Sequence, residues 1–222
     1  MGTALKLCED VGVKVVSITC DGPAANFSMF TTFGCDILRQ QNITSFESGN
    51  TRVHAFIDPC HAIKLIRNAF GELKIFIDLL GRKVDFTFLE ILLKLQEKQG
   101  LHLAIKIKQP HIFYHKQKMK VKLATQLFSS SLADALDYCR SELKLKEIEG
   151  CEGTANFINL MNNVFDVLNS HSIRPPGFKK AMCPANIGII SALFEGATNY
   201  FKSLKLPSGE LLINSRRKTG LI

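Results

Sequence analysis

The stretch VKVVSITCDG at residues 13–22 decides how the first part of the chain folds. Its β-branched residues predict a short buried strand, and they are Val13, Val15, Val16 and Ile18. Asp21 follows where this strand ends and a turn of small residues begins. Because open α/β sheets place their functional groups outside the carboxyl ends of strands, Asp21 is a candidate metal ligand. An aspartate before Gly-Pro is also an ordinary helix N-cap, and the residues alone leave both roles open.

The composition is typical of a protein with a packed core and an anionic partner. The 222 residues are enough for one large or two small domains, and sixteen phenylalanines supply bulk for the core. The net charge of +8 favours binding to nucleic acid or a nucleotide, although a basic balance also serves solubility. The seven cysteines include no Cys-x-x-Cys pair, which is typical of free thiols in a reducing compartment.

The pattern of apolar residues changes along the chain. We predict helices at 3–11, 23–33 and 59–70 and strands at 13–20 and 52–57, with a polar surface loop over 40–50. This alternation predicts a parallel α/β layer. Beyond residue 70 the period is helical, and further helices are predicted at 73–80, 85–98, 122–145, 153–170 and 186–204. The sequence therefore predicts an α/β domain at 1–58 followed by a mainly helical domain at 59–222.

The second predicted strand also ends on a carboxylate. Asp58 precedes Pro59, and this order is a strong signal for the start of a helix. Asp58 is therefore predicted to be an N-cap, with metal binding as the weaker alternative. Cys60, His61 and His54 are residue types that bind zinc, but no second ligand pair stands at a usual spacing, so a structural zinc site is not expected.

A basic stretch without acidic residues lies between Glu97 and Asp134. Residues with aromatic or imidazole rings, His111, Phe113, Tyr114 and His115, are interspersed with lysines. The lysines are Lys98, Lys106, Lys108, Lys116, Lys118, Lys120 and Lys122. Such a mixture suits phosphate neutralisation and base stacking, or it forms a solvated basic edge. Three serines at 129–131 follow near a predicted helix start, where backbone N–H groups can hold a phosphate.

A polar cluster ends the helix predicted at 153–170. Asp166 and Asn169 are three residues apart and share a helical face. A carboxylate beside an amide can recognise guanine, because the carboxylate accepts from the ring N–H and the exocyclic amine. The same cluster is also an ordinary helix C-cap. The chain has no G-x-x-x-x-G-K-[ST] motif, which argues against a P-loop nucleotide site and against a GTPase of that kind.

Several long blocks of the sequence resemble P-element-type DNA transposases, including their THAP-domain relatives. The resemblance covers essentially the whole chain in order. Its blocks are ITCDGPAAN at 18–26, FIDPCHAIKLIRNAF at 56–70, LQEKQGLHLAIK at 95–106, HIFYHKQKMKVKLATQLFSSSLADAL at 111–136, GCEGTANFINLMNNVFDVLNS at 150–170 and KTGLI at 218–222.

The resemblance implies an RNase H-like catalytic domain interrupted by a helical GTP-binding insertion. Residues 1–58 would be part of the first and residues 59–222 the insertion. Asp21 would be the second acid of an Asp-Asp-Glu triad that holds two Mg²⁺ ions for phosphodiester transfer. The resemblance places the other two acids outside this sequence, so we expect a transposase fragment that is not catalytic alone. The implied location is the nucleus, and the implied partners are transposon-end DNA and a second copy of the chain.

The resemblance also implies a set of residues around the guanine nucleotide. Lys106 and Lys120 would bind phosphates, Val121 would lie against the nucleotide, and Ser129 is a weaker candidate. Asp166 and Asn169 would recognise the guanine edge. In this family GTP serves assembly with the transposon end and is not the phosphate donor. The alternative function is a domesticated module that binds nucleic acid or partner chains through the basic stretch without chemistry.

Overall fold

A computed structural model describes residues 1–21, 24–36, 43–99, 106–170, 172–175 and 177–215. The chain divides into two compact units, the described residues of Met1–Ala62 and those of Ile63–Leu221. No helix within these ranges is both long and apolar enough to cross a membrane.

The first unit is a small three-stranded sheet with helices. Its elements are α1 (Gly2–Asp10), β1 (Ser17–Cys20), α2 (Ala24–Thr32), β2 (Ser45–Ser48) and β3 (Thr51–Ile57), followed by the first turn of α3 (Pro59–Leu73). The strand order is β1-β3-β2, with β1 parallel and β2 antiparallel to β3. A small core joins the layers, consisting of Leu5, Phe30, Cys35, Phe46, Val53 and Ala55.

Two details of this unit differ from the sequence prediction. The first strand covers Ser17–Cys20 and not residues 13–20, and Val13 and Val16 are each 54% exposed. Val13 is tied to the end of α1, where its backbone N–H donates to the carbonyl of Cys8 at 2.8 Å. The polar segment predicted as a loop contains β2, which forms a hairpin with β3. The sequence does not reveal this strand because Phe46 is the only buried residue of its four, so no clear alternation of apolar and polar residues results.

The second unit is mainly helical. After α3 it contains β4 (Ile75–Ile77), β5 (Lys83–Asp85), α4 (Thr87–Gln99), α5 (Gln109–Ile112), α6 (Val121–Leu127), α7 (Ser130–Ser141), α8 (Glu152–Leu168) and α9 (Ile187–Ser203). Aromatic rings fill its core around Phe157 of α8, which lies 5.2 Å from Phe70 and 5.8 Å from Phe128 between ring centroids. The predicted helices at 85–98, 153–170 and 186–204 are confirmed as α4, α8 and α9.

The helix predicted at 73–80 is wrong. The chain leaves α3 at Lys74, which has a positive φ of 64°, and residues after it form the hairpin β4–β5. The buried carboxylate of Asp78 stabilises the turn, since it accepts backbone N–H bonds from Leu80 at 2.9 Å and Arg82 at 2.8 Å. The single helix predicted at 122–145 is two helices, because the chain breaks after Leu127 and α7 starts at Ser130.

Candidate functional site

Asp21 and Asp58 follow neighbouring parallel strands. Cys20 of β1 lies opposite Ile57 of β3, so both carboxylates stand at the same edge of the sheet. The two oxygens of Asp58 accept backbone N–H bonds from Cys60 at 3.0 Å and His61 at 3.1 Å. This confirms the predicted N-cap role of Asp58. Asp21 is exposed, and the two residues that follow it lie outside the described ranges.

The described residues do not form a complete metal site at this edge. They contain no group of three His, Cys, Asp or Glu side chains that could hold a metal ion. Asp58 uses both oxygens to cap α3, which leaves Asp21 as a single carboxylate there. Mg²⁺ needs near-octahedral oxygen ligation, and one carboxylate does not provide it. A two-metal site therefore does not fit the described residues by themselves, and the side chains of His54, Cys60 and His61 do not form a group that could hold a metal ion.

Asp166 lies on α8 in the second unit. It is half-buried, and one of its oxygens (Oδ2) accepts a hydrogen bond from Asn162 Nδ2 at 3.1 Å. Burial raises the pKa of the Asp166 carboxyl, while the Lys179 ammonium, the hydrogen bond from Asn162 and the Lys106 ammonium act to lower it. The resemblance implies that Lys106 binds the phosphates of the nucleotide whose base Asp166 recognises, and in the structure the charge of Lys106 acts on the Asp166 carboxyl.

The amide of Asn162 also reaches the start of α7. Its Oδ1 accepts from the backbone N–H of Ser130 at 3.2 Å, and Ser130 is the first residue of that helix. The preceding Ser129 has a buried hydroxyl that donates to the Gln126 carbonyl at 2.9 Å and lies 3.1 Å from the hydroxyl of Ser131. The Ser129 hydroxyl is therefore hydrogen-bonded inside the protein.

Lys120 and Val121 begin α6, at the opposite end of that helix from Ser129. Seven residues make α6 about 10 Å long. The Lys120 side chain is exposed, and within the described ranges its ammonium has no hydrogen bond or ion pair. Val121 is half-buried against the core. Asn169 is the exposed C-cap residue of α8, one turn beyond Asp166, and its backbone N–H donates to Phe165.

A buried arginine holds the segment in front of Lys120. Arg67 of α3 is fully buried, and its Nη2 donates to the carbonyls of Lys118 at 2.8 Å and Gln117 at 3.4 Å. Its guanidinium lies 5.0 Å from the centroid of the Tyr114 ring. The Tyr114 hydroxyl donates to the carbonyl of Asn68 at 3.2 Å. These bonds fix the backbone that leads into α6.

The rings of the basic stretch divide into two classes. Tyr114 and His111 are core residues, 1% and 2% exposed, so they are not available for base stacking. Nδ1 of His111 accepts the backbone N–H of Lys108 at 3.0 Å, and its Nε2 lies 3.1 Å from Oε1 of Gln126. Phe113 is 67% exposed. Residues 100–105, which lie inside this stretch, are outside the described ranges.

Sequence reasoning missed two residues around Asp166. Asn162 lies four positions before Asp166 on α8, and this spacing was an available signal because side chains at i and i+4 meet on a helix. Lys179 lies in a short 3₁₀ segment (Gly177–Lys179) that packs against α8. No local pattern indicates that the chain returns to the end of α8, so Lys179 could not be assigned from the sequence.

Comparison with known proteins decides the family. The model of the TNP-like, GTP-binding insertion domain matches residues 60–181, and the model of the TNP-like, RNase H N-terminal domain matches residues 1–34. The chain belongs to the P-element-type transposase family. The matched insertion-domain range contains the candidate nucleotide residues from Lys106 to Asn169.

Relatives and a solved structure agree with this assignment. The chain is 30% identical over 217 residues to DNA transposase THAP9 of Homo sapiens, which covers 96% of this chain and 24% of the relative. It is 34% identical over 174 residues to the Transposable element P transposase of Drosophila melanogaster, covering 77% of this chain and 22% of the relative. A Drosophila P element transposase strand transfer complex has a chain that matches with a TM-score of 0.81 and 26% identity, over 99% of this chain and 48% of that chain. The chain thus spans about a quarter of the length of the curated relatives it matches.

Proposed function

We propose that this chain is the guanine-nucleotide-binding portion of a P-element-type transposase. One observation carries the proposal. The half-buried carboxylate of Asp166 accepts a hydrogen bond from Asn162, which connects it to the start of α7, and the charges of Lys106 and Lys179 act on it electrostatically. A candidate acceptor for guanine therefore interacts electrostatically with candidate cations for phosphates, and all of these residues lie in the range that the GTP-binding insertion domain model matches.

Each candidate residue has a role that suits its position. Asp166 accepts hydrogen bonds from the ring N–H and the exocyclic amine of guanine, and Asn169, one turn away, bonds to the guanine carbonyl. Lys106 binds phosphate oxygens, and so does Lys120, whose ammonium is exposed and unpaired within the described ranges. Val121 packs against the nucleotide. Ser129 is the weaker candidate, because its buried hydroxyl is already hydrogen-bonded to Gln126.

Asp21 has a separate role in this proposal. Its exposed position at the carboxyl end of β1 suits a ligand to Mg²⁺ in an RNase H-like site. Such ions activate the attacking oxygen and stabilise the leaving oxygen in phosphodiester transfer. The remaining ligands are not among the described residues, so the chain is not expected to cleave DNA alone. The full transposase context implies nuclear location, transposon-end DNA as partner, and assembly with further copies of the chain.

Calorimetry with purified chain tests the nucleotide proposal. We expect GTP to bind more tightly than ATP, because adenine presents no pair of N–H groups to the Asp166 carboxylate. Asp166→Ala should reduce GTP affinity about 100-fold, since two hydrogen bonds to a charged group are lost. Asp134→Ala on α7 is the matched control, because it removes an exposed aspartate of the same charge. Equal affinities for GTP and ATP with a folded protein would refute the proposal.

A second function is favoured by the exposure of Phe113. This ring is 67% exposed and precedes the exposed lysines Lys116, Lys118, Lys120 and Lys122. A module of this kind binds single-stranded nucleic acid without chemistry, through phosphate contacts and stacking on one ring. Fluorescence anisotropy with a labelled oligonucleotide should show binding that weakens steeply with salt and about tenfold with Phe113→Ala. If neither added salt nor Phe113→Ala weakens oligonucleotide binding, this function is excluded.

A further inference from the structure

A single amide side chain connects Asp166, the proposed acceptor for guanine, to the start of α7. We infer that Asn162 is a positioning residue, which aims the Asp166 carboxylate at the guanine edge and couples it to the start of α7. This inference rests on the guanine-nucleotide function proposed above. Asn162 itself has no assigned contact with the nucleotide.

The orientation of the Asn162 amide is fixed from both ends. Its Oδ1 faces a donor, the backbone N–H of Ser130 at 3.2 Å. Its Nδ2 faces acceptors, Oδ2 of Asp166 at 3.1 Å and Oδ1 of Asn163 at 3.3 Å. Exchanging oxygen and nitrogen would place an oxygen against the carboxylate and an N–H against an N–H. The amide therefore has one satisfactory orientation, and in that orientation it donates to Asp166.

This arrangement specifies which part of Asp166 a base can use. Oδ2 already accepts from Asn162, which leaves Oδ1 and the remaining lone pair of Oδ2 for the two N–H groups of guanine. Guanine recognition also requires the carboxylate to be ionised. The charged groups that act on Asp166 are Lys179 and Lys106, and burial opposes them. Because Lys106 is proposed to bind phosphate, Asn162 is a partner of Asp166 for which no phosphate competes.

The test compares GTP with inosine triphosphate, whose base keeps the ring N–H but lacks the exocyclic amine. Wild-type chain should prefer GTP. Asn162→Leu should lower GTP affinity about tenfold and reduce the GTP preference, because an oriented hydrogen bond to a charged group is lost. The pH below which GTP binding is lost should also rise, since removing a donor raises the pKa of the Asp166 carboxyl. Asn159→Ala is the matched control on the same helix, because Asn159 has no hydrogen bond to Asn162 or Asp166 among the described residues, and it should leave all three values unchanged.

A second variant separates positioning from folding. Asn162→Asp keeps an acceptor for the Ser130 N–H but replaces the donor that faces Asp166 with a carboxylate. It should reduce the GTP preference and shift the pH profile upward even if Asn162→Leu fails to fold. A wild-type preference and pH profile in folded Asn162→Asp would overturn the inference while the nucleotide function stands. No GTP preference in the wild-type chain would overturn both.

Discussion

Replacing Arg67 tests whether its hydrogen bonds or its charge stabilise the second unit. Arg67 is fully buried, and no acidic side chain pairs with it among the described residues. Burial lowers the pKa of the Arg67 guanidinium. Its Nη1 has no hydrogen-bond partner in the described part of the chain. The stability that Arg67 provides must therefore come from its hydrogen bonds. Two variants separate the hydrogen bonds from the charge: Arg67→Lys keeps the charge, and Arg67→Met removes it.

The expected magnitudes follow from the contacts. Arg67 donates to Asn68 Oδ1 at 2.8 Å and to the Lys118 and Gln117 carbonyls at 2.8 and 3.4 Å. Arg67→Met loses these bonds and the contact with Tyr114, but it also removes the desolvation cost of the charge, so we expect a loss of about 2 kcal/mol. Arg67→Lys retains a buried charge that cannot reach all three acceptors, and it should cost about 4 kcal/mol.

Urea unfolding followed by circular dichroism measures both variants, since the second unit provides most of the helical signal. Arg67→Lys as stable as the wild type, or more stable than Arg67→Met, would refute the reasoning. The same variants should weaken GTP binding beyond their effect on stability. The Gln117 and Lys118 carbonyls lie three and two residues before Lys120, and without Arg67 the phosphate-binding residue is held less firmly. Calorimetry under conditions where both variants are folded checks this expectation.

Other substitutions test the core of the second unit. Gly71→Ala would place a Cβ 2.6 Å from Cζ of Tyr114 and should cost about 1–3 kcal/mol in urea unfolding, whereas Gly188→Ala, with open space around it, should stabilise α9 by up to about 1 kcal/mol. Equal effects would contradict this packing argument. Phe157→Ala should cost about 3–5 kcal/mol by the same assay, since the ring is fully buried among other aromatic rings, and a loss below 1 kcal/mol would show that the cluster repacks. Burial lowers the pKa of His111 below its usual 6.5, so the unfolded chain takes up a proton first on acidification. Stability should therefore fall as the pH drops below 6.5, and His111→Gln should flatten that dependence; an unchanged slope would show that other groups cause it.

Long helices could be predicted from the sequence, and the three-residue strands β4 and β5 could not. α8 has seventeen residues, enough for the apolar period to repeat several times along one face. β4 and β5 have three residues each, which is too few for an alternating pattern to be distinguished from helix. The break between α6 and α7 has no glycine or proline, and the apolar period continues across it. Its position depends on tertiary packing, which local propensity does not encode.

In the candidate site, too, contacts between residues close in sequence could be predicted, and contacts between distant segments could not. The pairing of Asp166 with Asn162 follows from helical spacing, whereas the approach of Lys106 and Lys179 depends on segments distant in sequence. The rings of the basic stretch were predicted as one class, yet Tyr114 is buried and Phe113 is exposed. Neighbouring residues point in different directions on a short helical turn. A run of similar side chains therefore does not specify which of them face solvent.

The contrast between Asp21 and Asp58 shows why a carboxylate at the end of a strand is not sufficient evidence for a metal site. Both follow parallel strands at one sheet edge. Asp58 is committed to structure because Pro59 starts α3 at once, and the free N–H groups of Cys60 and His61 take both carboxylate oxygens. Asp21 makes no such bonds to the described residues and remains exposed. The availability of an oxygen, set by the backbone that follows it, separates a cap from a candidate ligand. The same criterion supports Asp166, because Asn162 bonds to its Oδ2 only and, among the described residues, Oδ1 accepts no hydrogen bond and is left for a base.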